Sequence, residues 1–465
     1  MRIGLLMLGL GLALAATPAS ASGLTLVGTS TKVCQLTGEL DWKTGAPTDS
    51  KTWSTSALDA VDLGFPVDSA PGPLWLMFGD AWPPHHPPGS AADTPPDDAM
   101  GATKRAAPPD PKTCLSMQLI NSAPVLYADP TVVPAVQQGF FNVPTGGVFV
   151  DKTFYGFFWI HHCVLPQILA PNALTPLVTP APNPPNCLET ANSNSVGRSV
   201  IAEATPADPV LFHRIPGGPA ILPSPLVTMP SGFVYVSAAQ PPPFTAPDIT
   251  VIEPAIPVYG VPRYRASVPY LALAPQATFA NPNTWKFFAG YSGTTPHFVD
   301  RAAWESGVSP SGDWMPPPGA EVLSAVPVTE RCIGEHSVTY NKPLGAWLML
   351  YNCGPWQIEA RTALHPWGPW SDPTVLLSLA HDPWIVCNLI MSVFGCGAQR
   401  DFWPGLYNPK TKKHEPGFFY APYVLDRYSH GVAPPPGASK AARIYWTLST
   451  WNPYEVVIMT SDVAL

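Results

Sequence analysis

Two distant stretches of the chain are written to one plan, and this repetition constrains the fold more than any other feature. One reads Val61-Asp62-Leu63-Gly64-Phe65 and then Leu74-Trp75-Leu76-Met77-Phe78-Gly79-Asp80. The other reads Gly334-Glu335-His336-Ser337-Val338 and then Ala346-Trp347-Leu348-Met349-Leu350-Tyr351-Asn352. In each, an acid opens a strand-like run and a Trp-Leu-Met run follows on the return strand. The acid and the Trp stand 13 positions apart in the first stretch and 12 in the second. A repeated strand–turn–strand unit is the sequence signature of a β-propeller, whose units cannot bury their faces alone. Acids at equivalent points of different units converge on one axis when the ring closes, which would supply the paired carboxyls of glycoside hydrolysis.

The first residues carry Met1-Arg2-Ile3, an apolar run from Gly4 to Ala16 and the small-residue signal Ala19-Ser20-Ala21. This pattern predicts a secretory signal peptide over residues 1–21, to be left out of fold reasoning. It places the remainder, 22–465, outside the cytoplasm, secreted or periplasmic, as a single catalytic domain. No later stretch has the apolar length of a membrane span. Only 12% of residues are charged and the net charge is −8, with no basic run. Nucleic acid and anionic membrane surfaces are therefore poor partners. Low charge with 16 Trp, 15 Tyr and 19 Phe suits a neutral ligand such as a polysaccharide, bound by a monomer without a cofactor.

Helical periodicity is scarce, and strand-like runs rich in Val, Ile, Tyr, Phe and Trp recur between turn residues. They group into five blades, starting near residues 56, 142, 223, 334 and 415, although four or six remain open. Asp151-Lys152-Thr153 reads as a hairpin turn. With 62 Pro and 36 Gly, the excess length between units falls into Pro-rich inserts at 83–111, 166–187, 241–262, 310–319 and 430–438. The ring closes either by a C-terminal run pairing with the first unit or by the segment after Leu24 joining the last. The 8 cysteines, an even number in an exported chain, predict disulfides, and 8 allow 105 pairings. Spacing suggests Cys387 with Cys396 and Cys332 with Cys353, leaving Cys34, Cys114, Cys163 and Cys187 to pair among themselves.

Asp62 and Glu335 are the leading candidates for chemistry, each near the start of an innermost strand. The plainer alternative is that each carboxylate accepts backbone N–H groups at a turn. Asp80 ends its strand after Gly79, which would let the backbone pass close to something, and Asp41 is a further acid upstream. His161 and His162 end a strand of the second unit. Adjacent strand residues face opposite ways, so the two cannot easily share a metal, and one of them could bond a sugar hydroxyl. His336, next to Glu335, is expected to point away from it. Trp82, Trp403, Tyr407, Trp451 and Tyr454 sit at strand ends or in loops and could stack on sugar rings, whereas Trp75, Trp347 and Trp446 are expected to pack between units. Serine-hydrolase elbows, His-Glu-x-x-His and phosphate-binding Gly loops do not occur.

Taken together, Val61-Asp62-Leu63-Gly64, Leu76-Met77-Phe78-Gly79-Asp80, Gly334 to Asn341, Leu348 to Asn352 and above all Tyr445 to Tyr454 resemble the signature blocks of glycoside hydrolase family 183. The resemblance implies a five-bladed propeller endo-D-arabinanase. It implies that Asp62 is a catalytic carboxylate, with Asp41 the nearest match to the family's upstream acid. Asp80 and Glu335 match family blocks and would line the pocket. Ala81-Trp82 departs from the Thr usual after Gly-Asp, and the inserts at 83–111 and 241–262 are long, so subsites could differ. The expectation is a secreted, all-β, five-bladed hydrolase of an arabinofuranose polymer, with Asp62 and Asp41 as the pair and Asp80, Glu335, His161, His162, Trp82 and Trp451 binding the sugar. The alternative is a carbohydrate-binding propeller of the cell envelope without catalysis.

Overall fold

A computed structural model describes residues 23–82, 97–117, 119–120, 143–160, 198–205, 208–213, 229–240, 254–262, 268–308, 314–320, 332–354, 356–401 and 406–465. The signal-like segment, His161, His162, Cys163, Cys187 and Trp403 lie outside this set, as do the side chain of Asp80 and the start of the third unit near residue 223.

The chain is all-β, with only short helical turns among the described residues. It begins with β1 (Thr25–Gln35). The first sheet is β2 (Ala60–Asp68), β3 (Leu74–Trp82), β4 (Asp97–Thr103) and β5 (Leu119–Ile120). The second is β6 (Val143–Val150), β7 (Thr153–Ile160), β8 (Arg198–Thr205) and β9 (Asp208–His213). The third is β10 (Tyr235–Ala238), β11 (Ala255–Val261), β12 (Tyr270–Pro275), β13 (Lys286–Ser292) and β14 (Thr295–Val299). The fourth is β15 (Ile333–Asn341), β16 (Ala346–Cys353), β17 (Gln357–Ala363) and β18 (Thr374–Ser378). After a ribbon of β19 (Tyr407–Asn408) and β20 (Lys413–His414), the last sheet holds β21 (Phe418–Val424), β22 (His430–Gly431), β23 (Ala441–Trp451) and β24 (Glu455–Ala464). There β1 pairs with β24, from Thr25↔Ala464 to Gln35↔Val457. Of the two ways to close the ring, the segment after Leu24 therefore joins the last sheet, and β24 keeps no open edge.

Each sheet's first strand lies beside the next: β2 touches β6, β6 touches β10, β10 touches β15, β15 touches β21, and β21 touches β2. Apolar clusters fill the spaces between successive sheets. Leu63, Phe65 and Val67 meet Phe154 and Phe158, and Val148 and Phe157 meet Val236, Trp285 and Trp304. Tyr259 and Leu271 meet Trp347 and Met349, Leu348 and Leu350 meet Trp446 and Leu448, and Leu74, Leu76 and Phe78 meet Val456 and Ile458. A sheet covered on both faces needs apolar residues on both, so β16 reads Ala-Trp-Leu-Met-Leu-Tyr with all six buried rather than alternating. Burying one such large side chain contributes about 1.5–3 kcal/mol. Trp347 and Trp446 pack between sheets as expected, at 1% and 0% exposure.

The hairpin between β6 and β7 turns at Asp151 and Lys152, with Val150 paired to Thr153. Asp151 adopts φ 54, a left-handed conformation that Asp tolerates better than most residues. The disulfides Cys387–Cys396 and Cys332–Cys353 form as the spacing suggests, and Cys34 pairs with Cys114. Four of the first strands carry register shifts: β2 at Ala60/Asp62 and Leu63/Phe65, β6 at Pro144/Gly146, β15 at Ile333/His336 and β21 at Tyr420/Tyr423. Bulges re-aim side chains, and these fall around one cavity.

Candidate active site

That cavity is lined by Leu63, Val143, Pro144, Thr145, Tyr235, Glu335, His336 and Tyr423. Its walls come from the first strands or their immediate flanks in all five sheets. Asp62 and Glu335 are each the third residue of a nine-residue strand, β2 and β15. The repeat in the sequence thus becomes a repeat in space.

Asp62 is 5% exposed. Its Oδ2 accepts the hydroxyls of Tyr420 and Tyr454, each at 2.7 Å. Among the described residues, its Oδ1 has no hydrogen-bond partner from any other residue. Burial pushes the carboxyl up to about 6, against the two phenol hydrogen bonds, which pull it down. Gly79, paired with Asp62 in the ladder, leaves room for this carboxyl, because a Cβ there would fall 2.9 Å from Oδ1. Leu63 and Gly64 follow at φ 66 and φ 70, so the strand bends sharply just past the acid.

Glu335 is 8% exposed. With its carboxamide nitrogen facing the acid, Asn352 donates to Glu335 Oε2 and to the Glu335 carbonyl, both at 2.9 Å. His336 lines the same cavity, contrary to strict strand alternation, because the shift between Ile333 and His336 breaks the alternation there. Its Nδ1–H donates to the Gly334 carbonyl at 3.0 Å. That leaves Nε2 as an acceptor, buried and unpartnered, and burial lowers the imidazole to about 4, so it is neutral near pH 7. Tyr423 faces both acids: burial first, then the charges of Glu335 and Asp62, hold its phenol well above the usual range.

Asp41 is placed differently. It sits in the turn after β1, where Lys32 Nζ donates to Oδ2 at 2.6 Å. Its Oδ1 accepts from Lys43 N, Thr44 N and Thr44 Oγ1. Burial works to raise this carboxyl, but Lys32 and the turn's hydrogen bonds carry it below the ordinary range. No hydrogen bond links Asp41 to Asp62 or its tyrosines. Trp82 ends β3, where its carbonyl accepts from Asp59 N. Trp451 is partly exposed, stacks on Phe418 at 6.0 Å and meets the edge of Tyr454 at 5.6 Å. Tyr407 is exposed beside His414. Tyr454, expected as a sugar-stacking ring, is instead 4% exposed and committed to Asp62.

Residue-level reading missed Tyr420, Tyr423 and Glu455. A Tyr inside an apolar strand resembles any core aromatic, and only ring closure brings these beside Asp62. Glu455 follows Tyr454 and points away to Thr37, whose Oγ1 donates to Oε2 at 2.9 Å. Burial drives this carboxyl well above the usual range, with Asp59 and Asp41 adding to the effect.

Residues 252–460 match the family described as "Domain of unknown function (DUF4185)", less than half of the chain. The matched stretch contains Glu335, Tyr420, Tyr423 and Tyr454 but not Asp62. No curated protein matches the chain. Among solved structures, a candidate hydrolase from Bacteroides ovatus ATCC 8483 is similar at 10% identity and TM-score 0.44, over 88% of this chain and 86% of that one. The GH43_1 enzyme from Xanthomonas citri is similar at 11% identity and TM-score 0.36, over 88% and 89%. The catalytic domain of the Coprinopsis cinerea GH62 alpha-L-arabinofuranosidase is similar at 8% identity and TM-score 0.35, over 94% and 98%. Likeness at these scores bears on neither the fold nor the chemistry of this chain.

Proposed function

We propose that this chain is a glycoside hydrolase, that its five sheets are the blades of a five-bladed propeller, and that Asp62 is one of two working carboxyls at the centre. The observation that supports this best is Asp62 itself. It is buried, aligned by two phenols and raised to about 6, where a carboxyl can hold or release a proton near neutral pH. Glu335 is the partner favoured by position, since both acids occupy the third place of a first strand and both act on Tyr423. Asp41 enters the reading as a further upstream acid and through the family 183 resemblance, and its ion pair with Lys32 suits a fixed anion better than a proton donor.

Hydrolysis of a glycoside needs one carboxylic acid to protonate the departing oxygen as its bond to the anomeric carbon breaks. The second carboxylate takes the proton of the water whose hydroxyl joins that carbon, or first attacks the carbon itself. The substrate we propose is an arabinofuranose polymer of D-arabinan type, cut internally outside the cytoplasm. The family 183 blocks and the low charge of the chain support that substrate class. Three disulfides among the described residues and the signal-like first residues support the location. Incubation of the protein with purified arabinogalactan and a panel of other neutral glycans tests this, reading new reducing ends and fragment lengths. Short oligomers from arabinan support an endo-hydrolase. Retention of glycans with no new ends identifies a binding propeller instead.

A further inference from the structure

We infer that Tyr420 and Tyr454 are positioning residues: by donating both hydroxyls to Oδ2 of Asp62, they leave Oδ1 as the one oxygen of that carboxyl able to exchange a proton with a ligand. This rests on the reading of Asp62 as a working carboxyl.

A carboxylate oxygen accepts through two lone pairs, and two phenols at 2.7 Å occupy both on Oδ2. Oδ1 receives nothing from another of the described residues. Beside it lies the space that Gly79 leaves for want of a side chain. A Cβ there would meet Leu63 Cδ1 at 2.8 Å, Asp62 Oδ1 at 2.9 Å and Val143 Cγ1 at 3.0 Å. Leu63 and Val143 also line the cavity, so Asp62, which is not itself part of that lining, sits directly behind it.

The two tyrosines are themselves fixed. Tyr420 belongs to β21 and tilts against Phe418 at 5.7 Å. Tyr454 follows the turn after β23, where Asn452 adopts φ 51. The Asn452 carboxamide donates to Asp401 Oδ1 and to the Glu415 carbonyl, both at 2.7 Å. Asp401 in turn meets His414 Nδ1 at 2.6 Å. The rings are 6% and 4% exposed, which removes them from the sugar-stacking surface and leaves their hydroxyls as the working part. A hydrogen bond donated to a carboxylate favours its charged form, so the pair offsets part of the cost of burying Asp62. The other titratable groups around Asp62 among the described side chains are Tyr423 from β21, Tyr235 from β10, and Glu335 and His336 from β15.

The test is a carboxyl carbon-13 titration of the full chain as wild type, Tyr420→Phe, Tyr454→Phe and the double variant, with Asp62→Asn to assign the signal. The pH dependence of kcat/KM on arabinan is measured in parallel. Each lost hydroxyl is expected to move the Asp62 midpoint upward by about half a unit or more, the double variant further, and the limb of the kcat/KM profile that Asp62 sets should move upward with it. An unmoved midpoint overturns the clamp, and if Asp62→Asn is still inactive the hydrolase reading survives that failure. An Asp62→Asn enzyme of wild-type activity removes the reaction from Asp62, and the positioning role with it. Should the Tyr420 variant not fold, the Tyr454 variant reads the same oxygen.

Discussion

Asp62 and Glu335 stand at the same place on two strands of the same design, yet they are held by opposite means. Glu335 is held from within its own sheet: Asn352 on β16 donates to it, and Cys332–Cys353 closes the hairpin just outside. Asp62 is held from across the ring, by Tyr420 and Tyr454, 358 and 392 residues away in the chain. The Glu335 arrangement can form with one hairpin. The Asp62 arrangement exists only once the last sheet has come round to meet the first. One backbone position therefore yields a locally built acid and an acid built by closure.

That contrast can be sharpened or broken by substitution. The largest expected effect is on stability as a function of pH. The Asp62 carboxyl is raised from 3.8 to about 6 in the fold, so the folded chain binds the proton more tightly than the unfolded one. The ionised buried acid thus destabilises the fold fully above about pH 6, and the penalty fades as pH falls from about 6 to about 4. Asp62→Asn should raise stability by up to about 3 kcal/mol at pH 8, with the gain lost near pH 4, as read by denaturant unfolding at both values. Removing Cys332–Cys353 should lower stability by about 3 kcal/mol while leaving the Asp62 midpoint unchanged. A shift of that midpoint would show that the two acids are not independently built. Gly79→Ala places a Cβ 2.9 Å from Asp62 Oδ1 and should cost about 1–3 kcal/mol. The same variant should disturb the Asp62 carboxyl signal and spare that of Glu335. Asn352→Leu, the mirror experiment, removes the two Asn352 hydrogen bonds to Glu335 and should cost about 1–3 kcal/mol, with the tyrosine–Asp62 contacts intact.

The sequence made the local half of this picture legible. The Asp62 and Glu335 blocks, the hairpin at Asp151, the pairing of Cys332 with Cys353 and the inter-sheet roles of Trp347 and Trp446 all follow from short-range pattern. What it hid is what closure creates. Tyr454 read as a strand-end ring for sugar because nothing nearby in the chain shows an acid waiting for its hydroxyl. His336 read as facing away from Glu335 because alternation holds only where no extra residue is inserted, and β15 carries a shift there. Asp41 entered as the nearest match to the family's upstream acid, and nothing in the local sequence shows that Lys32, nine residues earlier, takes its Oδ2.

The most direct test is the initial rate of reducing-end release from purified D-arabinan by wild type and Asp62→Asn, at a pH where both are shown to be folded. The account predicts rapid release by the wild type and a loss of about a thousandfold or more in the variant, as expected when an acid–base group is removed. Equal rates would contradict it, since the acid assembled by ring closure would then be a buried structural carboxyl.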